Sequence, residues 1–494
     1  MDESTLVTVD PSSTQGDEEP LTLTILVHPD ARRLGQQCAL EGRGRFAVSR
    51  NDARFAHPGG RAEPLADRHM SRRPIWITTD ATITTIRSEA GKVLLGGAPL
   101  QGPGASVDAD ALARGVILDP SRNISLLIRR AARATVTDEM GMVGPSPELR
   151  ALRSRLRRLA DSELPVLVRG PTGSGKELVA RAIHDHSRRA SGPWVPVNLA
   201  AIPESTAASQ FFGHARGAFT GARTSSQGLF GEACGGSLFL DECGELPDAL
   251  QPMLLRALEA GEVQVVGGLA RAVDVRIIAA TDADLEQAIA AGRFRPALFH
   301  RLAGNTLTLT PLRERREDIA AQLRHFLLAA LRRSGREARA RDGWLAPALQ
   351  RALVFHDWPG NTRQLARVVE GLVAESGDDA RARLPEGLRL PAAPPSGAPP
   401  SRAAASTVAA DGLEALTRAL AAHAYRLTPT AKALGISVNT LRARMKQHGL
   451  RTAGELGRED IEATKRAVGD DVEALARALR VSVHGLRLRL RELE

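Results

Sequence analysis

Residues 164–177 read LPVLVRGPTGSGKE, an apolar run followed by Gly170-Pro171-Thr172-Gly173-Ser174-Gly175-Lys176 and then the opening of a helical pattern, KELVARAIHDHS. A Gly-rich turn between a strand and a helix aims backbone N–H groups and a helix N-terminus at one point, as polyphosphate binding requires. Lys176 would reach the β- and γ-phosphates. A hydroxyl residue usually comes next and ligates magnesium, but here Glu177 follows. Gly-rich turns also arise by chance, so a second feature has to support the first. It comes 65 residues after Lys176, where Leu238-Phe239-Leu240-Asp241-Glu242 has the pattern of a buried strand ending in two carboxylates. Asp241 can hold Mg2+ and Glu242 can polarise an attacking water. An acidic helix cap would explain one carboxylate and not its pairing with a P-loop. Together the two segments predict hydrolysis of ATP.

Around this pair, from about residue 140 to 375, apolar runs (WVPVNLA, GSLFLDE, VDVRIIAATD) alternate with helical stretches such as ALQPMLLRALEAG. That alternation implies a parallel sheet covered by helices on both faces, extending to about residue 310. The whole chain, 494 residues, exceeds what one core serves, so three or four domains are expected. Residues 1–19 read as a polar, disordered tail. Residues 20–130 hold short β-type runs (LTLTILV, GRFAVS, PIWITT, ATITTIR, KVLLG, GVIL, ISLLIRR) broken by Gly, Pro and Asp, the pattern of a β-sandwich, and helical periodicity begins only near residue 146. Residues 376–410 contain PAAPPSGAPPSRAAAS, a linker composition. In the all-α remainder, 411–494, AKALGISVNTLRARMK (431–446) aligns with ARALRVSVHGLRLRLR (476–491), identical at eight of sixteen positions. Both copies read as helix, turn and Arg-rich second helix.

Composition narrows the partners. Aromatic residues make up only 3% of the chain, which argues against modules that bind nucleic acid by base stacking. A formal charge of +9 and a pI near 10.3 favour a polyanion such as DNA, although an Arg-rich solvated surface would give the same balance. Three cysteines (Cys38, Cys234, Cys243) without metal-ligand spacing indicate neither a disulfide framework nor a zinc site. The acidic N-terminus lacks signal-peptide character and no apolar run nears the roughly 18 residues of a membrane span, so a cytoplasmic protein with no membrane contact is expected.

The most specific stretch is Gly217-Ala218-Phe219-Thr220-Gly221-Ala222, preceded by FFGHAR. Glycines alone would make it a hairpin tip, but an exposed Phe at a tip asks for a partner. With GPTGSGKELVARAIH, VNLAAIPE, QPMLLRALEAGEVQVVGG, VRIIAATD, GRFRPALFHRL, PLRERREDI and WPGNTRQL in order, residues 143–370 resemble the sigma-54-dependent activators, the bacterial enhancer-binding proteins. The resemblance implies an AAA+ P-loop ATPase with an α-helical lid, working as a ring, a hexamer in that family. It implies that the 217–222 loop contacts sigma-54 RNA polymerase. Asn198 resembles the switch residue that positions Glu242, Arg295 and Arg301 resemble arginine fingers reaching a neighbouring subunit, and Arg363 resembles the sensor contacting nucleotide. Three positions depart from the family: Asp282 stands for the usual Asn, Gln210 for Glu and Gln264 for Arg.

The flanking regions carry weaker likenesses. Residues 20–130 resemble a forkhead-associated domain through VSR (48–50) and PLADRHMSRRPI (64–75), which implies that Arg50, Ser71 and Arg72 clasp a phosphothreonine of a partner protein. Pro74 and Gly96 depart from that pattern, standing for a usual His and Asn. TAKALGISVNTLRARMKQHGL resembles a Fis-type helix-turn-helix. Ser437, Asn439, Thr440, Arg442, Arg444 and Lys446 are its candidate contacts to upstream activator DNA. The second copy reads equally as a duplicate reader or a structural element. A nucleotide-holding adaptor without turnover is the alternative the whole chain leaves open.

Overall fold

The computed structural model describes residues 19–384 apart from 81–82, 90–91, 101–103, 134–139, 221, 342 and 378, together with scattered residues between 417 and 490. The expected tail as far as residue 18 and residues 385–410 of the expected 376–410 linker lie outside the described residues, whereas the linker's expected start is packed: Ser376 ends a helix, Ala382 N donates to Trp344 O at 2.9 Å and Arg383 N to Ser376 Oγ at 2.8 Å. The chain divides into two compact units, Met1–Gly397 and Ala398–Glu494.

The first unit begins with a sheet-rich domain. Its strands are β1 (Leu21–Val27), β2 (Gln37–Leu40), β3 (Gly44–Val48), β4 (Ile75–Thr79), β5 (Ile83–Ser88), β6 (Leu94–Leu95), β7 (Ala98–Pro99), β8 (Ala105–Asp108), β9 (Val116–Ser121) and β10 (Ile124–Arg130). They form two antiparallel sheets, ordered β2-β1-β10-β9-β6-β7 and β3-β4-β5-β8. Alternate residues of β1 and β10 (Leu23, Ile25, Leu126, Ile128) meet Ile75, Ile77 and Ile86 of the other sheet in one buried cluster, as the two-residue period of a strand requires. The sequence pattern places the first helix near residue 146, but α1 (Ala109–Arg114) comes earlier. Its six residues are too few for a helical period to show; the visible signal is Asp108, whose side chain accepts from Ala111 N at 2.7 Å.

The central domain contains α2 (Pro147–Ala160), β11 (Val166–Arg169), α3 (Lys176–Asp185), β12 (Trp194–Asn198), α4 (Glu204–Phe212), α5 (Gly228–Glu232), β13 (Ser237–Asp241) and α6 (Gln251–Ala260). A hairpin, β14 (Glu262–Gln264) and β15 (Ala270–Ala272), precedes β16 (Arg276–Thr281), α7 (Leu285–Ala290), α8 (Pro296–Leu302) and β17 (Asn305–Thr308). The main sheet is parallel, ordered β12-β13-β16-β11-β17. Val166, Val168, Phe239, Ile278 and Ala280 face the cluster with α2 and α3, while Leu167, Leu238, Leu240, Ile277 and Ala279 face the one with α4, α6 and α8. Both faces are therefore covered, and the C-terminal ends of β11, β13 and β16 open on one edge, the usual place for a ligand in such a sheet.

Three lid helices follow: α9 (Arg316–Arg333), α10 (Pro347–Val354) and α11 (Asn361–Ser376). Their core is shared with the sheet-rich domain, because Leu26, Val27, Ala31 and Leu34 lie in the same buried cluster as Ile319, Leu323, Leu327 and Leu353. Gly35, at φ +80°, permits the close approach: a Cβ there would stand 3.0 Å from Ala321 Cβ on α9. Polar groups fix the docking. Arg129 Nη1 donates to Glu317 Oε1 on α9 at 2.6 Å, and Arg129 Nη2 to Glu148 Oε1 on α2 at 2.5 Å. Arg351 on α10 pairs with Asp119 at 2.8 Å, and Gln350 exchanges two hydrogen bonds with the His28 backbone, at 2.8 and 3.0 Å.

In the second unit, α12 (Arg458–Val468) and α13 (Val472–Ala478) pack with Val481 and Leu486 around a core of their own. Leu420, Leu441 and Met445 form another. Among the described residues, no helix is long and apolar enough to cross a membrane.

Candidate active site

The P-loop turns sharply between β11 and α3, with Gly173 at φ +75° and Gly175 at φ +102°. Lys176 heads α3 and is 7% exposed; its Nζ donates to Gly170 O at 3.1 Å and lies 3.8 Å from Glu242 Oε1. Ser174 Oγ is buried without a hydrogen-bond partner, a polar atom facing the site in need of one. Asp241 ends β13, and Glu242 follows at φ +54°, a left-handed conformation that turns its carboxylate towards Lys176. Glu242 N donates to Asp241 Oδ1 at 3.1 Å.

Asp282, one residue beyond β16, completes a carboxylate cluster. Its Oδ2 accepts the hydroxyl of Thr172 from the P-loop. That hydrogen bond is the main cause holding the Asp282 carboxyl below its ordinary range. Glu242 is pushed the other way, first by burial and then by the negative charges of Asp282 and Asp241, against the opposing pull of Lys176. Cys243, next along, is fully buried and its thiol is pushed up to about 12, chiefly by that burial, so it is no nucleophile.

Behind the phosphate loop lies a partly open cleft of about 120 Å³, whose apolar walls include Met142, Val143, Leu152, Leu178 and Leu309. Its apolar lining suits a flat, apolar-faced group such as a purine base. Sequence reasoning misses it because the walls come from separate segments. Asn361 is missed too, although GNTR marks the spot. It is buried at φ +50°, its Nδ2 donates to Thr172 O at 3.0 Å and its Oδ1 accepts from Leu312 N at 2.9 Å. Arg363 N donates to Gly173 O at 3.3 Å, and a Cβ on Gly173 would stand 2.3 Å from Gly360 O. The lid's last helix thus begins directly on the P-loop.

The remaining candidates divide by location. Gly170, Pro171 and Glu177 take their places in the phosphate loop and the first turn of α3. Asn198 stands beside Asp241 in the sheet register, and its Oδ1 accepts from Ala200 N at 3.0 Å rather than meeting Glu242. Arg295 caps the N-terminus of α8 and Arg301 lies within it, both exposed, Arg301 donating to Leu258 O at 2.8 Å, and Arg363 is exposed beside the P-loop. Among the loop residues, Gly217 N donates to Ala222 O at 2.8 Å and Ala222 N to Phe219 O at 3.0 Å, while Gly221 lies outside the described residues. Phe219 is 47% exposed with the His214 ring 5.0 Å away, and Ala218 and Thr220 flank it. The β14–β15 hairpin braces the loop through Ala215 N to Val266 O, 2.9 Å, and Val266 N to Gly213 O, 3.0 Å.

In the sheet-rich domain, Arg50 donates through its guanidinium to the carbonyls of Arg68 and Met70, the latter at 2.8 Å, so it shapes the loop that carries Ser71. Ser71 Oγ accepts from Arg73 N at 2.9 Å, and Arg72 is exposed. Ser437, Asn439, Thr440, Arg442, Arg444 and Lys446 lie outside the described residues.

Comparison with known proteins accords with this geometry. Residues 142–308 match the sigma-54 interaction domain, 313–390 the AAA+ ATPase lid domain, and 413–448 the Fis family of bacterial regulatory proteins. The chain is 40% identical to the C4-dicarboxylate transport transcriptional regulatory protein DctD of Rhizobium meliloti, covering 66% of this chain and 68% of that one. It is 41% identical to the transcriptional regulatory protein ZraR of Klebsiella oxytoca, covering 64% and 72%. With the DNA-binding transcriptional regulator NtrC of Salmonella typhimurium it shares 49% identity over 45% of this chain, which spans about half of that protein's length (47%). The AAA+ ATPase domain with its lid, the sigma-54 interaction segment and the Fis-type helices, in that order, make the chain a member of the sigma-54-dependent transcriptional activators.

Proposed function

We propose that the chain couples ATP hydrolysis, at the interfaces of a ring, to remodelling of sigma-54 RNA polymerase bound near upstream activator DNA. Lys176 and the P-loop N–H groups would hold the β- and γ-phosphates, and the unpartnered Ser174 hydroxyl fits such a ligand. Asp241 would hold Mg2+, which supplies neutralisation of phosphate charge; one carboxylate completed by phosphate oxygens and water is an ordinary magnesium set. Glu242 would take the proton of the attacking water, with Asn198 swinging to it from its Ala200 cap as nucleotide state changes. Arg295 at the start of α8 and Arg301 within it, both exposed, would meet the neighbouring subunit's phosphates, and Arg363 the chain's own. Because the fingers act in trans, a ring, a hexamer by family likeness, is the active form.

The observation that carries this reading is Phe219, half-exposed on a loop braced from behind by a hairpin. A large apolar side chain held out on such a support calls for a protein surface to receive it. The test is open-complex formation with purified sigma-54 polymerase. The parent chain is expected to give ATP-dependent open complexes, and Thr220→Ala to give none while retaining ATP turnover. Equal activity of the two chains would remove sigma-54 contact from this loop.

The sheet-rich domain, read as a forkhead-associated fold, would gate the motor from its seat on the lid. Ser71 and Arg72 would meet a phosphothreonine of a partner protein, with Arg50 holding their loop in shape. A Thr-phosphorylated peptide library is expected to contain sequences bound at least tenfold more tightly than their unphosphorylated forms, the size of one charge-assisted contact of about 1.5 kcal/mol. Equal affinities across such pairs would end the phosphothreonine assignment and leave a steric gate.

A further inference from the structure

The Fis-family match ends at residue 448, yet the second unit runs on to Glu494. The repeat within that unit is offset by 45 residues, 431–446 against 476–491. The structure carries the same offset into the packing. Leu427 and Val472, Thr430 and Leu475, Leu441 and Leu486, and Met445 and Leu490 are four pairs at that spacing, and all eight residues are helical. Leu427, Leu441 and Met445 pack in the first copy's core. Their counterparts Val472, Leu486 and Leu490 pack in the second copy's core, separately. Thr430 and Leu475 are both fully buried. A resemblance confined to composition would not bury matching positions at constant spacing; a duplicated helix arrangement does.

The basic residues are duplicated in the sequence as well. Arg442 and Arg444 return as Arg487 and Arg489, and residues 476–491 contain five arginines with no carboxylate. Arg487 is exposed and Arg489 half-buried, on helical residues that follow the turn at Ser482, whose carbonyl accepts from Leu486 N at 2.9 Å. Gly485 is a poor helix former, but Leu486 and Leu490 hold the segment in a core, so it does not depend on intrinsic propensity. In a helix-turn-helix the second helix enters the major groove, and these arginines sit where that helix presents its contacts.

We infer that residues 458–491 are a second DNA-reading module, whose Arg487 and Arg489 bind duplex DNA beyond the stretch taken by the first copy. Each subunit then carries two readers, and the preferred DNA site is longer than one Fis-type module needs. The inference extends the DNA-binding reading of residues 413–448, and its test separates the two.

Full-length chain is used to select duplexes from a random 40-base-pair pool, and binding of the selected duplex is measured across a salt series. Arg487→Ala/Arg489→Ala is expected to weaken binding at least tenfold and to flatten the slope of log K against log salt by up to about 1.8, roughly 0.9 per lost phosphate contact. Arg487→Lys/Arg489→Lys keeps the charge and should keep the slope, which guards against a folding defect. Arg442→Ala/Arg444→Ala probes the first copy in parallel. Unchanged affinity and slope in Arg487→Ala/Arg489→Ala overturn the second reader, whether or not the first-copy variant binds. Loss of binding only in the second-copy variant would instead overturn the first-copy assignment and uphold this one. A changed oligomer mass with unchanged DNA affinity makes the module an assembly element and overturns the proposal.

Discussion

Glu242→Gln is expected to lower steady-state ATP turnover by about 100- to 10,000-fold while nucleotide affinity stays close to that of the parent. The amide keeps the shape of the side chain and its place 3.8 Å from Lys176 Nζ, but cannot accept a proton from water. Lys176, the P-loop glycines and the apolar cleft, to which the proposed function gives nucleotide binding, are untouched. Phosphate release and equilibrium nucleotide binding, measured side by side, check both halves. A parent chain with no turnover, or a variant as fast as its parent, would return the chain to the adaptor reading in which nucleotide is only a structural ligand. The pH profile sharpens the assignment. Burial and the Asp282 charge raise the Glu242 carboxyl, so activity should climb with pH as Glu242 ionises. Asp282→Asn removes one of those charges and should move that acid limb to lower pH. An unmoved limb would assign it to another group.

The second large effect is expected at the junction of the sheet-rich domain and the lid. Arg129→Met should destabilise this junction by about 3 kcal/mol at neutral pH, because removing one member of a buried ion pair leaves its partners uncompensated. Arg129 serves two carboxylates, Glu148 and Glu317, and Glu317 is only 5% exposed. The loss is limited by protonation. Glu317 already titrates at about 7, raised first by burial and then by Asp318, and without Arg129 it would hold its proton to still higher pH. An acid whose folded pKa lies above its unfolded value draws a proton on folding, so stability falls as pH rises between the two values. For the parent that window runs from about 4.5 to about 7. In Arg129→Met it extends upward, and the gap between the two chains should widen above pH 7 by about 1.4 kcal/mol per unit. Denaturant unfolding of the 1–397 unit, followed at pH 6, 7 and 8 in the full chain, measures it. A gap that does not change with pH would show that Glu317 is not the group left exposed.

What the sequence makes legible is what lies close together along it. The P-loop and the Asp241-Glu242 pair can be read directly, because each is a strand end and a turn within a dozen residues. Asp282 is legible as a departure from a pattern, but its bond to Thr172, 110 residues away, is not. The apolar cleft is assembled from residues near 142, 152, 178 and 309, none of which is distinctive alone. The seating of the sheet-rich domain depends on Arg129 meeting Glu148 and Glu317, and on Leu26 and Leu34 meeting α9, pairings that no local period encodes. Short elements such as α1 fall below the length at which amphipathic patterning appears.

The shared cluster between the sheet-rich domain and the lid restricts how any upstream signal can act. Lifting β1 clear of α9 would wet Leu26, Val27, Leu34, Leu323 and Leu327 together, at about 1.5 to 3 kcal/mol for each large side chain. No single phosphate contact supplies that much. Movement of the sheet-rich domain is therefore cheap only as a short slide of the two layers across one another that keeps the oily seam closed, on a lid that itself holds the phosphate loop through Asn361 Nδ2 and Thr172 O, 3.0 Å apart.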